Sequence, residues 1–275
     1  MNSTYLDNYL MDSPTDISLY TDIAILLADT ARTVIRPLFR RSLISYNKED
    51  TSPVTIADRS AERVMRTLLA EYLPDHGIFG EEFGHKNPHS SYQWVLDPID
   101  GTRAFITGRP LFGTLIALLK DGIPLLGILD QPILNERWLG VAGQPTLFSS
   151  PLGGRIGTRQ NVHLIEAEMS CTSPEILQNA PHDRWRLLHN KVKRMTWGGD
   201  CYAYGLLALG QIDLITECTM NVWDWAALVP IIQGAGGLIT QWDGTPLQVG
   251  GDSTVLAAGS ADLHQEAVAI LTNRF

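Results

Sequence analysis

Cysteine is scarce in this sequence. Cys171, Cys201 and Cys218 are the only three in 275 residues, an odd number with no C-x-x-C pair. That excludes a disulfide framework and a zinc-finger type of site, and it makes a reducing cytoplasm the simplest home. Basic residues are also few, with 21 Lys and Arg against 30 Asp and Glu and a net charge of -9. Nucleic-acid surfaces need clustered Lys and Arg, so no nucleic-acid partner is expected. A long apolar run is missing too: the most apolar stretch, LFGTLIALLKDGIPLLGIL, is broken by Lys120-Asp121-Gly122. The opening MNSTYLDNYLMDSPTD lacks the basic-then-apolar pattern of a signal peptide. Neither a membrane span nor secretion is expected. Internal repeats and low-complexity tracts are absent.

What is present is enough apolar material for a sizeable core, 44% hydrophobic against 19% charged. The chain can fold as one bilobed unit or two modest domains. Residues 146 to 160, rich in Ser, Gly and Pro, mark a boundary between an N-terminal α+β lobe (1–150) and a C-terminal α/β lobe (151–275). Apolar residues at helical spacing predict a helix from Asp16 to about Phe39. A second helix is expected from Asp58, as N-cap, to Tyr72. Gly113 to Leu129 reads as a hairpin around Lys120-Asp121-Gly122. After residue 160, strand-like and helix-like stretches alternate: EAEMSCTS, CYAYGLLALG, IDLITE, WDWAALVPIIQGAGG, LITQW. Such alternation points to an α/β sandwich of layered helices and sheets.

The densest chemistry lies in WVLDPIDGTRAF, residues 94 to 105. Asp97 and Asp100 are three apart, so on a straight strand they face opposite ways and converge only if the chain turns between them. Pro98 suits such a turn, and Gly101 allows close backbone approach. Two carboxylates plus the Ile99 carbonyl form an oxygen-only donor set, the preference of a hard cation such as Mg²⁺. The plainer alternative is an Asx turn at Asp97 and a helix cap at Asp100. Two further acidic groups, Glu81-Glu82 after a short apolar strand and Asp224 between Trp223 and Trp225, weigh toward the metal reading.

GEEF (80–83), DPIDGT (97–102) and WDWAAL (223–228), in that order, resemble the three signatures of the inositol monophosphatase superfamily of Mg²⁺-dependent phosphomonoesterases. The resemblance implies that family's layered α/β fold, two or three Mg²⁺ per site and a homodimer. It implies Glu81, Asp97, the Ile99 carbonyl, Asp100 and Asp224 as metal ligands, with Asp58 near a further, weaker metal. Most of these lie in the N-terminal lobe, and the last lies in the C-terminal one. Thr102 and Glu81 would orient and deprotonate a water activated by the metal, and the Gly101 and Thr102 amides would hold phosphate oxygens. By the resemblance, Asp100, Glu81 and Thr102 would be the catalytic set. Glu82 has a less direct role, and Lys48 is expected near the metals or on an exposed loop.

Gly198, Asp200, Glu217 and Asp224 would face the leaving group. WGGDCYAYGLLALGQIDL together with GEEFG resembles the histidinol-phosphate phosphatase branch. A carboxylate at position 200 suits a substrate with an ammonium or imidazolium group. The substrate expectation is therefore L-histidinol phosphate, a small phosphorylated metabolite of histidine biosynthesis. Inositol 1-phosphate or a broader range of sugar and nucleotide phosphates is the alternative, and a non-catalytic metal-dependent binding protein is a more distant one. Asp200 also has a structural alternative as N-cap of the following helix. The haloacid-dehalogenase motif D-x-D-G-T differs from DPIDGT by one residue of spacing and ranks low. The scattered histidines lack ligand spacing, and GAGG (234–237) reads as a helix C-cap and turn.

Overall fold

In the computed structural model, residues 13–41, 46–47, 53–54, 56–179 and 182–273 are described. Lys48 lies outside the described residues. Helix α1 (Pro14–Ile35) opens with a capping box in which Ser13 and Asp16 bond each other's backbone amides, and Pro14 occupies the first turn. A 3₁₀ turn, Arg36–Leu38, ends it where Pro37 cannot donate. Short strands β1 (Tyr46–Asn47) and β2 (Pro53–Val54) pair antiparallel. Helix α2 (Ile56–Tyr72) begins two residues before Asp58, so Asp58 stands inside the first turn instead of capping it.

A seven-stranded sheet follows: β3 (Gly77–Gly80), β4 (Gly84–Lys86), β5 (Tyr92–Asp100), β6 (Gly113–Lys120), β7 (Ile123–Gln131), β8 (Glu136–Val141) and β9 (Leu147–Ser149). Its order is β4-β3-β5-β6-β7-β8-β9, with β3 and β5 parallel and the other neighbours antiparallel. The short helix α3 (Thr102–Ile106) leaves the end of β5. The expected hairpin is β6 and β7, turning at Asp121-Gly122. In the second half come β10 (Glu168–Cys171), α4 (His182–His189), β11 (Arg194–Trp197), α5 (Asp200–Ala208), β12 (Leu214–Glu217), α6 (Val222–Trp225), α7 (Leu228–Gly234), β13 (Leu238–Thr240), β14 (Val255–Ala258) and α8 (Ala261–Thr272). These strands form a five-stranded mixed sheet in the order β11-β10-β12-β14-β13.

Period-two alternation builds the layers. Trp94, Leu96, Ile116, Leu118 and Ile128 share one core with α1 and α2. Their neighbours Val95, Leu115, Ala117 and Leu129 face the other way, onto α5 and α7. Ile215, Val255 and Ala257 of the second sheet close that middle core from the far side. Met169, Cys171, Leu214, Leu256 and Ala258 then pack on α4 and α8. The result is a five-layer α/β/α/β/α sandwich, with each buried large aliphatic or aromatic side chain contributing about 1.5–3 kcal/mol. The middle core is shared by both sheets, and the expected boundary at residue 150 falls just after β9.

The helix expected across WDWAALVPIIQGAGG, residues 223 to 237, is two helices, α6 and α7. Pro230 supplies the reason: it lacks an N–H, and its ring conflicts with the carbonyl four residues back, that of Ala226. Among the described residues no helix is long and apolar enough to cross a membrane.

Candidate active site

The convergence of Asp97 and Asp100 comes from a β-bulge. Asp97 pairs with Leu115 and Asp100 with Gly113, so three steps on β5 match two on β6. One extra residue turns the odd spacing into a same-face spacing. The sequence reading placed a turn at the end of the strand, whereas the strand runs on through Asp100 with the irregularity inside it. Pro98 tolerates this because it has no ladder donor to lose. Asp97 Oδ1 accepts the Ile99 amide at 3.0 Å, and the buried Thr114 hydroxyl donates to the Pro98 carbonyl at 2.7 Å. The Asx turn at Asp97 therefore exists and helps set the bulge. Asp100 does not cap α3, whose N-cap is Gly101; its Oδ2 accepts the Cys201 amide at 2.5 Å from the start of α5.

Asp97, Asp100 and Asp224 each present a carboxylate oxygen within 4.8 Å of the others. Asp224 is oriented by the capping box of α6, where its Oδ2 accepts the Asn221 amide at 2.7 Å. Glu81 follows β3, and its amide bonds the Leu96 carbonyl at 3.1 Å, one residue before Asp97. Burial pushes the Asp97 carboxyl well up, and Glu81, Asp100, Asp224 and Asp58 each push it further. Asp224 is likewise pushed well up, first by burial and then by Asp100, against the Asn221 hydrogen bonds and with Glu81 adding to the rise. Burial raises Asp100 too, while the Cys201 thiol and amide partly offset it. Glu81 and Asp58 thus stand around the three-carboxylate group and act on it. Crowded anionic oxygens of this kind fit a hard divalent cation, which removes the repulsion and accepts only oxygen donors. The Ile99 carbonyl already accepts the Thr102 hydroxyl at 3.1 Å and keeps a second lone pair.

Beside this cluster, Gly101 has φ 87° and Thr102 opens α3. A side chain at residue 101 would be strained there and would also lie 3.1 Å from Asp200 Oδ2. Asp200 thus sits directly on the Gly101 loop. The N-cap of α5 is Gly199, and Asp200 is the first helical residue, with a left-handed φ of 44°. Its carboxyl is raised to about 7 by burial and then by Asp100, with Arg109 and Arg103 pulling it down. Those two arginines, exposed and close behind DPIDGT, were passed over in the sequence.

Glu217 ends β12 and is buried, with Oε1 accepting the Thr172 amide at 2.8 Å and the Thr172 hydroxyl at 3.0 Å. Burial raises it to about 8, Thr172 lowers it, and Asp200 and Asp100 raise it further. Gly198, φ 90°, has open space where a side chain would begin. Thr172 and Cys201 each act through a backbone amide as well as a side chain, and the backbone bonds leave no mark in a sequence pattern.

A family profile described as the inositol monophosphatase family matches residues 16–274. The chloroplastic bifunctional phosphatase IMPL2 of Arabidopsis thaliana is 44% identical over 265 residues, covering 93% of this chain and 76% of that protein. The histidinol-phosphatase of Mycobacterium tuberculosis is 36% identical over 251 residues, covering 90% of this chain and 95% of its own length. The solved structure of an inositol monophosphatase from Zymomonas mobilis matches with a TM-score of 0.84 at 44% identity, covering 95% of this chain and 100% of that one.

Proposed function

Because the chain belongs to the inositol monophosphatase family and is a phosphoric monoester hydrolase, we propose that it is Mg²⁺-dependent and that its substrate is L-histidinol phosphate. The observation that carries the substrate is the placement of Asp200, a partly desolvated carboxyl group packed on Gly101, whose charge bears on the buried Glu217. Carboxyl groups raised this far by burial ionise most favourably beside a cation, so the pair favours a leaving group bearing an ammonium and an imidazole over a neutral polyol. The histidinol-phosphatase relatives support the same reading.

Asp97, Asp100, Asp224, Glu81 and the Ile99 carbonyl would hold Mg²⁺, with Asp58 toward a further ion. Bound there, the metal supplies Lewis-acid activation of water and neutralises phosphate charge. Glu81 takes the proton of the attacking water. The Thr102 hydroxyl donates to the Ile99 carbonyl, so its oxygen remains an acceptor that orients the same water. The Gly101 and Thr102 amides hold the phosphate oxygens in line for attack. Gly198 leaves room for the leaving group, and Asp200, Glu217 and Asp224 bind it. On this reading the enzyme acts in histidine biosynthesis. Its three buried free cysteines suit a reducing cytoplasm, and a homodimer is what the family resemblance implies.

The test is phosphate release from L-histidinol phosphate and inositol 1-phosphate side by side, with and without Mg²⁺, using Asp100→Asn as control. A large Mg²⁺-dependent preference for histidinol phosphate is expected. Preference for inositol phosphate removes the pocket assignment and leaves the metal centre standing. Full activity in excess chelator removes the metal mechanism.

A further inference from the structure

Helix α2 grips the turn that carries Glu81 from behind. Glu62 is fully buried. Its Oε2 accepts the Glu82 amide at 2.7 Å, and its Oε1 accepts the Phe83 amide at 3.2 Å and Arg66 Nε at 2.7 Å. Arg66 also donates to the Gly84 carbonyl. The carboxylate fills the space beside Gly80, where an added Cβ would lie 2.0 Å from Glu62 Oε1. On the outer side, the guanidinium carbons of Arg59, Arg63 and Arg66 lie 5.1, 5.8 and 5.9 Å from the centre of the Phe83 ring.

A buried charge is costly unless fully bonded, and apart from Asp58, which faces the carboxylate cluster, the other buried residues of this helix are apolar: Ala57, Ala61, Met65 and Leu69. The hydrogen bonds of Glu62 go to the β3–β4 turn and to Arg66, whose second bond closes on the same turn. That turn begins with Glu81, whose charge bears on Asp97 and Asp224.

We propose that Glu62 and Arg66 are positioning residues: a buried clamp that fixes the Gly80–Gly84 turn and so holds the Glu81 carboxylate in the metal centre. The proposal rests on the reading of Glu81 as a metal ligand. It is tested on the chelator-treated full chain by isothermal titration calorimetry with Mg²⁺ alone, alongside kcat and metal-free melting. The variants are Glu62→Gln, Arg66→Met and, for the underlying reading, Glu81→Ala.

Loss of a group that orients a ligand weakens metal binding by roughly 10–100-fold, the effect expected for Glu62→Gln, with about threefold or more for Arg66→Met. kcat at subsaturating Mg²⁺ should fall in parallel. A merely structural role would lower the metal-free melting temperature and leave the Mg²⁺ affinity within about twofold of wild type, which overturns the clamp. If Glu62→Gln does not fold, Arg66→Met decides by the same criterion. An unchanged affinity in Glu81→Ala instead removes the assignment of Glu81 as ligand, and the clamp with it.

Discussion

Asp200 and Gly101 are in contact across the two halves of the chain: a Cβ on Gly101 would meet the Cβ, Cγ and Oδ2 of Asp200, each at 3.1 Å. Both have left-handed backbone, with φ 87° and 44°. The tip of β5, which leads into the loop proposed to hold phosphate, is therefore built against the first turn of α5. The Asp100–Cys201 hydrogen bond at 2.5 Å seals the same junction. A change in either partner reaches the other directly.

Gly101→Ala should therefore fail twice. The left-handed conformation costs an alanine about 1–2 kcal/mol, and the methyl group must displace Asp200 or tilt the loop. For a chain of this size the melting temperature should fall by roughly 2–8 °C, and kcat should drop about 100-fold as the amides leave their phosphate geometry. Melting and steady-state kinetics together check this, and wild-type kcat in a stable variant would refute the role of the loop.

Asp200→Ala should separate substrates. If the carboxylate reads a cationic leaving group, kcat/KM for histidinol phosphate should fall about 10- to 100-fold, the value of one desolvated charged hydrogen bond, while inositol 1-phosphate changes little. Equal losses on both substrates would mean that Asp200 only shapes the Gly101 junction.

The layered fold was readable because its strands and helices carry strong periodicity, as in Gly113 to Leu129. The gathering of Asp97, Asp100 and Asp224 was readable because an oxygen-only cation site would restrict residue type at those motifs. What was hidden was geometry that depends on partners distant in sequence. The bulge between Asp97 and Asp100 is defined by the register against β6. Asp200 resembled a helix cap until Gly199 was seen to occupy that position. Glu62 carries no signal in the sequence that sets it apart, yet it is fully buried, bonded to backbone amides about twenty residues onward.

Thr114→Val tests the bulge. Its hydroxyl donates to the Pro98 carbonyl at 2.7 Å in a buried setting, so removal leaves an acceptor unsatisfied and should cost about 1–3 kcal/mol. The isosteric valine keeps the packing, so the loosened bulge should also weaken Mg²⁺ binding. Urea unfolding and Mg²⁺ titration check the pair of effects; lost stability with unchanged Mg²⁺ affinity would mean that Thr114 does not govern the convergence of Asp97 and Asp100.

The crowding of carboxylates gives the metal-free protein a distinctive pH dependence. Glu217 moves from an ordinary 4.5 to about 8 and Asp200 from 3.8 to about 7. Between the unfolded and folded values the native state holds protons that the unfolded chain has released, so stability falls as pH rises through the folded values. His264, lowered from 6.5 to about 4 by burial, has the opposite slope, but both its states are largely neutral above 6.5. The cleanest window is therefore pH 6.5 to 8, where the melting temperature in chelator should decline. His163, raised by Glu266, adds slope of the same sign, so the slope alone does not identify its source. Glu217→Gln should flatten the decline, and added Mg²⁺ should stabilise wild type more at pH 8 than at 6.5, because deprotonated ligands bind the ion without releasing protons. A Glu217→Gln profile that parallels wild type would show that this carboxylate is already ionised in the folded chain and does not drive the pH dependence.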